Sequence, residues 1–72
     1  MGKYIVDKIV TRGQESSKQI QYELYANGKF VGSDEKSYPG ITEAQIQAFN
    51  HIEEHPDTYE HAKNKEFFHY NS

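Results

Sequence analysis

The alternation of apolar and polar side chains is clearest between Ile20 and Gly32, IQYELYANGKFVG. Two β-prone runs flank Asn27-Gly28. A two-residue type I′ turn needs positive φ at both central positions, which Asn and Gly tolerate best. That turn predicts a hairpin pairing Ala26 with Lys29, Tyr25 with Phe30, Leu24 with Val31 and Glu23 with Gly32. The two-residue period of a strand then separates two faces. Ile20, Tyr22, Leu24 and Val31 form an apolar face suited to a core. Gln21, Glu23, Tyr25 and Phe30 form a polar face with an aromatic pair beside the turn.

Residues 3–11, KYIVDKIVT, read as a first strand. Ile5 and Ile9 lie on one face; Tyr4, Val6 and Val10 lie on the other. A strand that is apolar on both sides is normally covered on both sides. The polar run 12–18 predicts a loop that joins this strand to the hairpin as an antiparallel meander. Residues 33–40, punctuated by Pro39-Gly40, predict a second loop.

The period then changes to that of a helix. Thr42 is placed to cap the N-terminus, with Gln45 completing a capping box and Ile41 and Ile46 forming a hydrophobic staple. Glu43 suits the positive end of the helix dipole. Ala48, Phe49 and Ile52 carry the apolar stripe. The helix is expected from about Glu43 to Glu54, because His55 precedes Pro56 and that position disfavours helical geometry. Pro56 is well placed to open a second short helix, PDTYEHAKN, striped only by Tyr59 and Ala62. The tail KEFFHYNS reads as helix, strand or frayed end, with Phe67, Phe68 and Tyr70 weighing against a fully unstructured one.

The expected architecture is α+β: one domain over residues 1–72, a three-stranded antiparallel meander packed against one main helix (βββα), with a short second helix and a C-terminal tail. A single helix covers one face of such a sheet. Tyr4, Val6 and Val10, with Tyr25 and Phe30, are then expected on the opposite face. Their cover would be the tail, a second copy of the chain or another protein, since contiguous exposed apolar patches mark interaction sites.

Composition narrows the functional classes. The formal net charge is −3. Residues 1–36 hold six basic and five acidic side chains, whereas residues 37–72 hold two and six. This balance lacks the broad positive footprint of a typical nucleic-acid binder. There is no cysteine, so neither disulfides nor thiolate chemistry arise. No apolar run is long enough for a signal peptide or a membrane span, which leads to the expectation of a cytoplasmic protein. Six tyrosines and four phenylalanines are many for this length, and tyrosine does well at interfaces. No phosphate-cradling glycine loop or nucleophile elbow occurs, so neither an enzyme nor a resident cofactor is expected.

One constellation carries metal-binding residue types. His51-Ile52-Glu53-Glu54-His55 matches H-x-x-E-H and so resembles the inverzincin metallopeptidase motif. The resemblance implies His51 and His55 as zinc ligands and Glu54 as general base. Read by themselves, these residues form a solvated helix end. Weak divalent-metal binding through His51 and His55, with Asp57 or His61 added, is the alternative. Glu53, Glu54, Asp57 and Glu60 make either a solvated acidic surface or a face for a basic partner.

The span from Ile20 to Ile52, paired strands around a glycine turn followed by a threonine-led helix with Glu43-Ala44, resembles the AP2-like arm-binding domains of phage and transposon integrases. The resemblance implies that the sheet reads DNA through Lys8, Lys18, Lys29, Tyr25 and Phe30. In size and composition the chain is also similar to small acidic accessory proteins of bacteria and phages, some of which inhibit host enzymes. The leading expectation is a non-enzymatic protein that binds another protein, or itself as a homodimer, through Tyr4, Val6, Tyr25 and Phe30. Sheet-reading DNA binding and weak metal binding follow as alternatives.

Overall fold

The computed structural model describes residues 2–63 and 68–71. Its strands are β1 (Tyr4–Val6), β2 (Lys8–Gln14), β3 (Gln19–Ala26), β4 (Lys29–Gly32), β5 (Tyr59–His61) and β6 (Phe68–Asn71), and its helix is α1 (Ile41–Glu54). Four strands form a mixed sheet in the order β4-β3-β2-β6, and β1 and β5 form a separate parallel pair. The fold is therefore α+β with one helix, but its sheets are mixed where a purely antiparallel meander was expected.

The departure starts at Asp7. The apolar run 3–11 does not continue as one strand; it breaks there into β1 and β2, which belong to different sheets. Asp7 is held by the hairpin instead. Its N–H donates to the Tyr25 carbonyl at 3.0 Å, and its carboxylate accepts from the Asn27 N–H at 3.2 and 3.3 Å. Aspartate is a poor strand residue, and here its acceptors serve the turn. The break resets the side-chain phase. In a regular strand, positions 6 and 9 would face opposite sides. Here both Val6 and Ile9 are fully buried and belong to one core cluster with Tyr22, Leu24, Ala48 and Ile52. Val6 is thus a core residue and not part of an exposed face.

The central hairpin forms around Asn27 and Gly28, both at positive φ (59° and 81°). Tyr25 pairs with Phe30 and Ala26 with Lys29, as the turn chemistry predicts. Beyond them the register shifts, so Leu24 pairs with Gly32 rather than with Val31. This bulge leaves the Val31 carbonyl to the Tyr59 hydroxyl, which donates to it at 2.6 Å. It also explains Gly32: a Cβ at that position would lie 2.2 Å from the Tyr59 oxygen.

Helix α1 begins earlier than its sequence signals suggest. Gly40 occupies the cap position without a side-chain hydrogen bond, and Thr42 lies inside the first turn. The predicted capping box is therefore not the device in use. The Glu15 carboxylate, from the 3-10 turn after β2, accepts from the Ile41 N–H at 3.4 Å. The buried stripe is Ala44, Ala48 and Ile52, with Phe49 packed beside it. Ile46 stays 47% exposed, so the expected staple does not bury it. Two alanines on the stripe let the helix lie close to β3 and β2.

Among the described residues, no second helix follows Pro56. Thr58 and Tyr59 both donate to the His55 carbonyl, at 3.0 Å each, closing a turn. Residues 59–61 then run parallel to β1, pairing Tyr4 with Tyr59 and Val6 with His61. The weak helical stripe lost to the hydrogen bonds that β1 offers. From the tail, β6 pairs parallel with β2, joining Ile9 to Phe68 and Thr11 to Tyr70. Phe67 lies outside the described residues. Among the described residues, no helix is long and apolar enough to cross a membrane.

Candidate functional site

Tyr22 sits on the inner face of β3 and is almost fully buried. A buried phenol needs a partner for its hydroxyl. The partner is His51, one turn before the end of α1, with the oxygen 2.6 Å from Nδ1. The His51 ring also meets Tyr59 edge-on, at a centroid distance of 5.4 Å. Across the cleft, the loop after β4 is folded by its own short side chains. Ser33 Oγ accepts from the Glu35 N–H, and Asp34 Oδ1 accepts from the Lys36 N–H. Tyr38 is tied to Ile20 by two backbone hydrogen bonds of 2.9 and 2.8 Å, and its hydroxyl donates to Asp34. Its ring stacks at 6.3 Å from that of Tyr22. Tyr22, His51, Asp34, Lys36 and Tyr38 help line a polar cleft of about 230 Å³.

The titration behaviour of the cleft follows from burial. The Tyr22 phenol is pushed well above its ordinary range, first by burial and then by the Asp34 carboxylate. Tyr38 is pushed up to about 12 by burial and by its hydrogen bond to Asp34. His51 is lowered, chiefly by burial and then by the nearby His55, with Asp34 and Glu54 acting in the opposite direction. At neutral pH both phenols stay protonated and His51 stays uncharged. Such groups donate and accept hydrogen bonds.

The His51–His55 pair lies where the H-x-x-E-H spacing puts it, with ring centroids 4.9 Å apart. His55 Nδ1 lies 2.9 Å from the His51 carbonyl. A carbonyl only accepts, so Nδ1 is the donor in this contact. Among the described residues, no group of three or more histidine, aspartate or glutamate side chains is placed to hold a metal ion. His51 is also half-buried against two tyrosines, where the sequence suggested a solvated helix end. The inward-facing phenol of Tyr22 was the available signal, because it required a polar partner on whatever element covered it.

The residues expected to bind a partner are dispersed. Val6 is in the core. Val10 is only 5% exposed, although it lies on the sheet face away from the helix. On that face Arg12 pairs with Glu23 at 3.1 Å, and the Tyr25 hydroxyl donates to the same carboxylate at 3.0 Å. The face is therefore mainly polar. Tyr25 and Phe30 pack edge-to-face at 5.9 Å, with Phe30 52% exposed. Of the lysines in the DNA-reading expectation, Lys8 pairs with Tyr25, whereas Lys18 and Lys29 stand at opposite ends of β3.

Tyr4 and Ile5 are 45% and 54% exposed, and they line a groove between β1 and the hairpin turn. The groove is shallow and open to solvent, with a volume of about 510 Å³; Ala26 and Ala62 line it, as do Lys3, Lys29 and Lys63. Sequence reasoning singled out Tyr4 but missed Ile5, which it assigned to the buried side. Only the break at Asp7 reverses that assignment. No family model, curated protein or solved structure matches the chain.

Proposed function

We propose that the chain is a non-enzymatic interaction protein that binds another protein at the end of the molecule bearing the hairpin turn. The observation that carries this reading is the shallow groove containing Tyr4 and Ile5, two large apolar side chains left exposed side by side. Concave, mostly apolar sites with a few polar groups are where ligands and partner side chains dock. Outside the groove, the half-exposed Phe30 packs edge-to-face on Tyr25 and offers a second, separate aromatic spot. In the polar cleft the Tyr22 hydroxyl is held by His51 and that of Tyr38 by Asp34, an arrangement consistent with a structural role.

Co-purification of the native protein, followed by substitution, tests this reading. Tyr4→Ser with Ile5→Ser is expected to release the bound protein while helix content by circular dichroism stays unchanged. Tyr25→Ser with Phe30→Ser is expected to weaken capture to a smaller extent. Retention of the same protein by both well-folded pairs refutes the assignment. Sedimentation of the purified chain separates self-association from binding to a different protein.

A further inference from the structure

The groove has a charge character opposite to that of the whole molecule. The chain is net −3, yet three lysines, Lys3, Lys29 and Lys63, surround the groove against one carboxylate, Asp7. That carboxylate is already accepting from the Asn27 N–H. None of the three lysines forms an ion pair with a described residue. The floor between them is apolar, built from Tyr4, Ile5, Ala26 and Ala62.

The backbone adds a direction. In β1, the Tyr4 N–H donates to Thr58 and the Val6 carbonyl accepts from Ala62, so both residues direct their backbone groups at β5. In a strand the intervening residue directs its own groups the other way. Ile5, which lines the groove, thus presents an N–H and a carbonyl to an incoming extended chain.

We propose that the groove takes an acidic, extended peptide segment of a partner protein, with carboxylates at the lysines, apolar side chains on the floor and main-chain hydrogen bonds at Ile5. This deepens the interaction reading above and rests on it. Strand addition to a sheet edge is an established route to peptide recognition: the main chain supplies affinity and alternate side chains supply specificity. A second copy is the weaker occupant. Its acidic residues Glu53 and Glu54 lie at the end of α1, so their docking into a groove elsewhere on the molecule makes a head-to-tail contact, which closes into a ring or propagates.

Fluorescence anisotropy with a labelled short peptide of alternating Glu and Val tests the proposal, with a Gln/Val peptide as the neutral control. The Glu peptide is expected to bind more tightly than the control at low salt and to lose that advantage as salt is raised. Replacing Lys3, Lys29 and Lys63 with Ala is expected to weaken the Glu peptide roughly tenfold and to leave the control unchanged. N-methylation of alternate backbone amides of the peptide, which leaves the protein untouched, is expected to abolish binding. Ile5→Pro is expected to do the same with β1–β5 intact, because an edge strand accepts proline where its N–H faces outward.

Equal binding of the two peptides, or indifference to removal of the lysines, overturns the acidic preference. Insensitivity to N-methylation overturns the strand geometry, and a dimer whose interface buries Tyr4 and Ile5 assigns the groove to a second copy. Failure of every peptide while the Tyr4→Ser and Ile5→Ser pair still releases the native partner overturns this proposal alone. If that pair also has no effect on capture, the interaction reading falls with it.

Discussion

At the scale of the residue, Gly32 and Tyr59 behave as a matched pair. The bulge between Leu24 and Tyr25 frees the Val31 carbonyl, the Tyr59 hydroxyl takes it, and the space left at position 32 admits no side chain. Gly32→Ala should therefore cost about 1–3 kcal/mol, the usual penalty for forcing an extra carbon into a packed site. Tyr59→Phe alone should cost about 1 kcal/mol by orphaning the carbonyl. In the double variant the added Cβ no longer meets an oxygen, so the two costs should sum to less than expected. A denaturant-unfolding cycle over the four proteins measures this coupling, and strict additivity would show that the two sites do not touch. None of this was readable beforehand. Gly32 was expected opposite Glu23 at the end of the hairpin, and Tyr59 belonged to a segment that looked helical.

At the scale of the element, local signals were reliable only where the deciding chemistry was itself local. The Asn27-Gly28 turn fixes its nearest two pairs through φ alone, and both appear as expected. The helix was legible from its stripe and from Pro56 at its end. Its start was not, because the Glu15 carboxylate that reaches the first turn comes from a distant part of the chain. Thr42 lies within the helix and does not cap it, so Thr42→Ala should change stability by less than about 0.5 kcal/mol, where loss of a true cap costs about 1 kcal/mol. Thermal unfolding of that variant decides between them. The largest misreading, one strand over residues 3–11, has the same origin. Asp7 is drawn to the turn by hydrogen bonds across twenty residues, and no periodicity reports them. With that break unseen, Val6 was placed outside and Ile5 inside, and the groove was invisible.

At the scale of the whole molecule, the buried polar cleft sets how stability responds to pH. His51 is lowered from 6.5 in the fold, so below that value the unfolded chain binds a proton that the folded chain resists. The contribution is complete above pH 6.5 and is lost as pH falls through the lowered value. His51→Gln should flatten this acid limb in a series of unfolding midpoints. The tyrosines act in the opposite sense. Tyr22, Tyr38 and Tyr59 are all raised from 10.0, so their contribution is complete below pH 10 and is lost as pH climbs beyond it. Ultraviolet titration of the folded protein should show phenols that remain un-ionised at pH 11 and are released together on unfolding. Ordinary titration of every tyrosine in the fold would contradict the buried hydrogen-bonded arrangement.

Both parallel pairings join strands from opposite ends of the sequence: β1 to β5 and β2 to β6. On a ribosome, the segment from β2 through α1 emerges with its hairpins and helix able to form at once. The segment that precedes Asp7 emerges first, yet it must wait for residues 59–61 before its ladder can close. The β1 ladder is thus among the last to close, although Val6 also packs on side chains of β2, β3 and α1. Removal of residues 59–61 would therefore strip β1 of its ladder partner while the β2–β3 hairpin keeps its own.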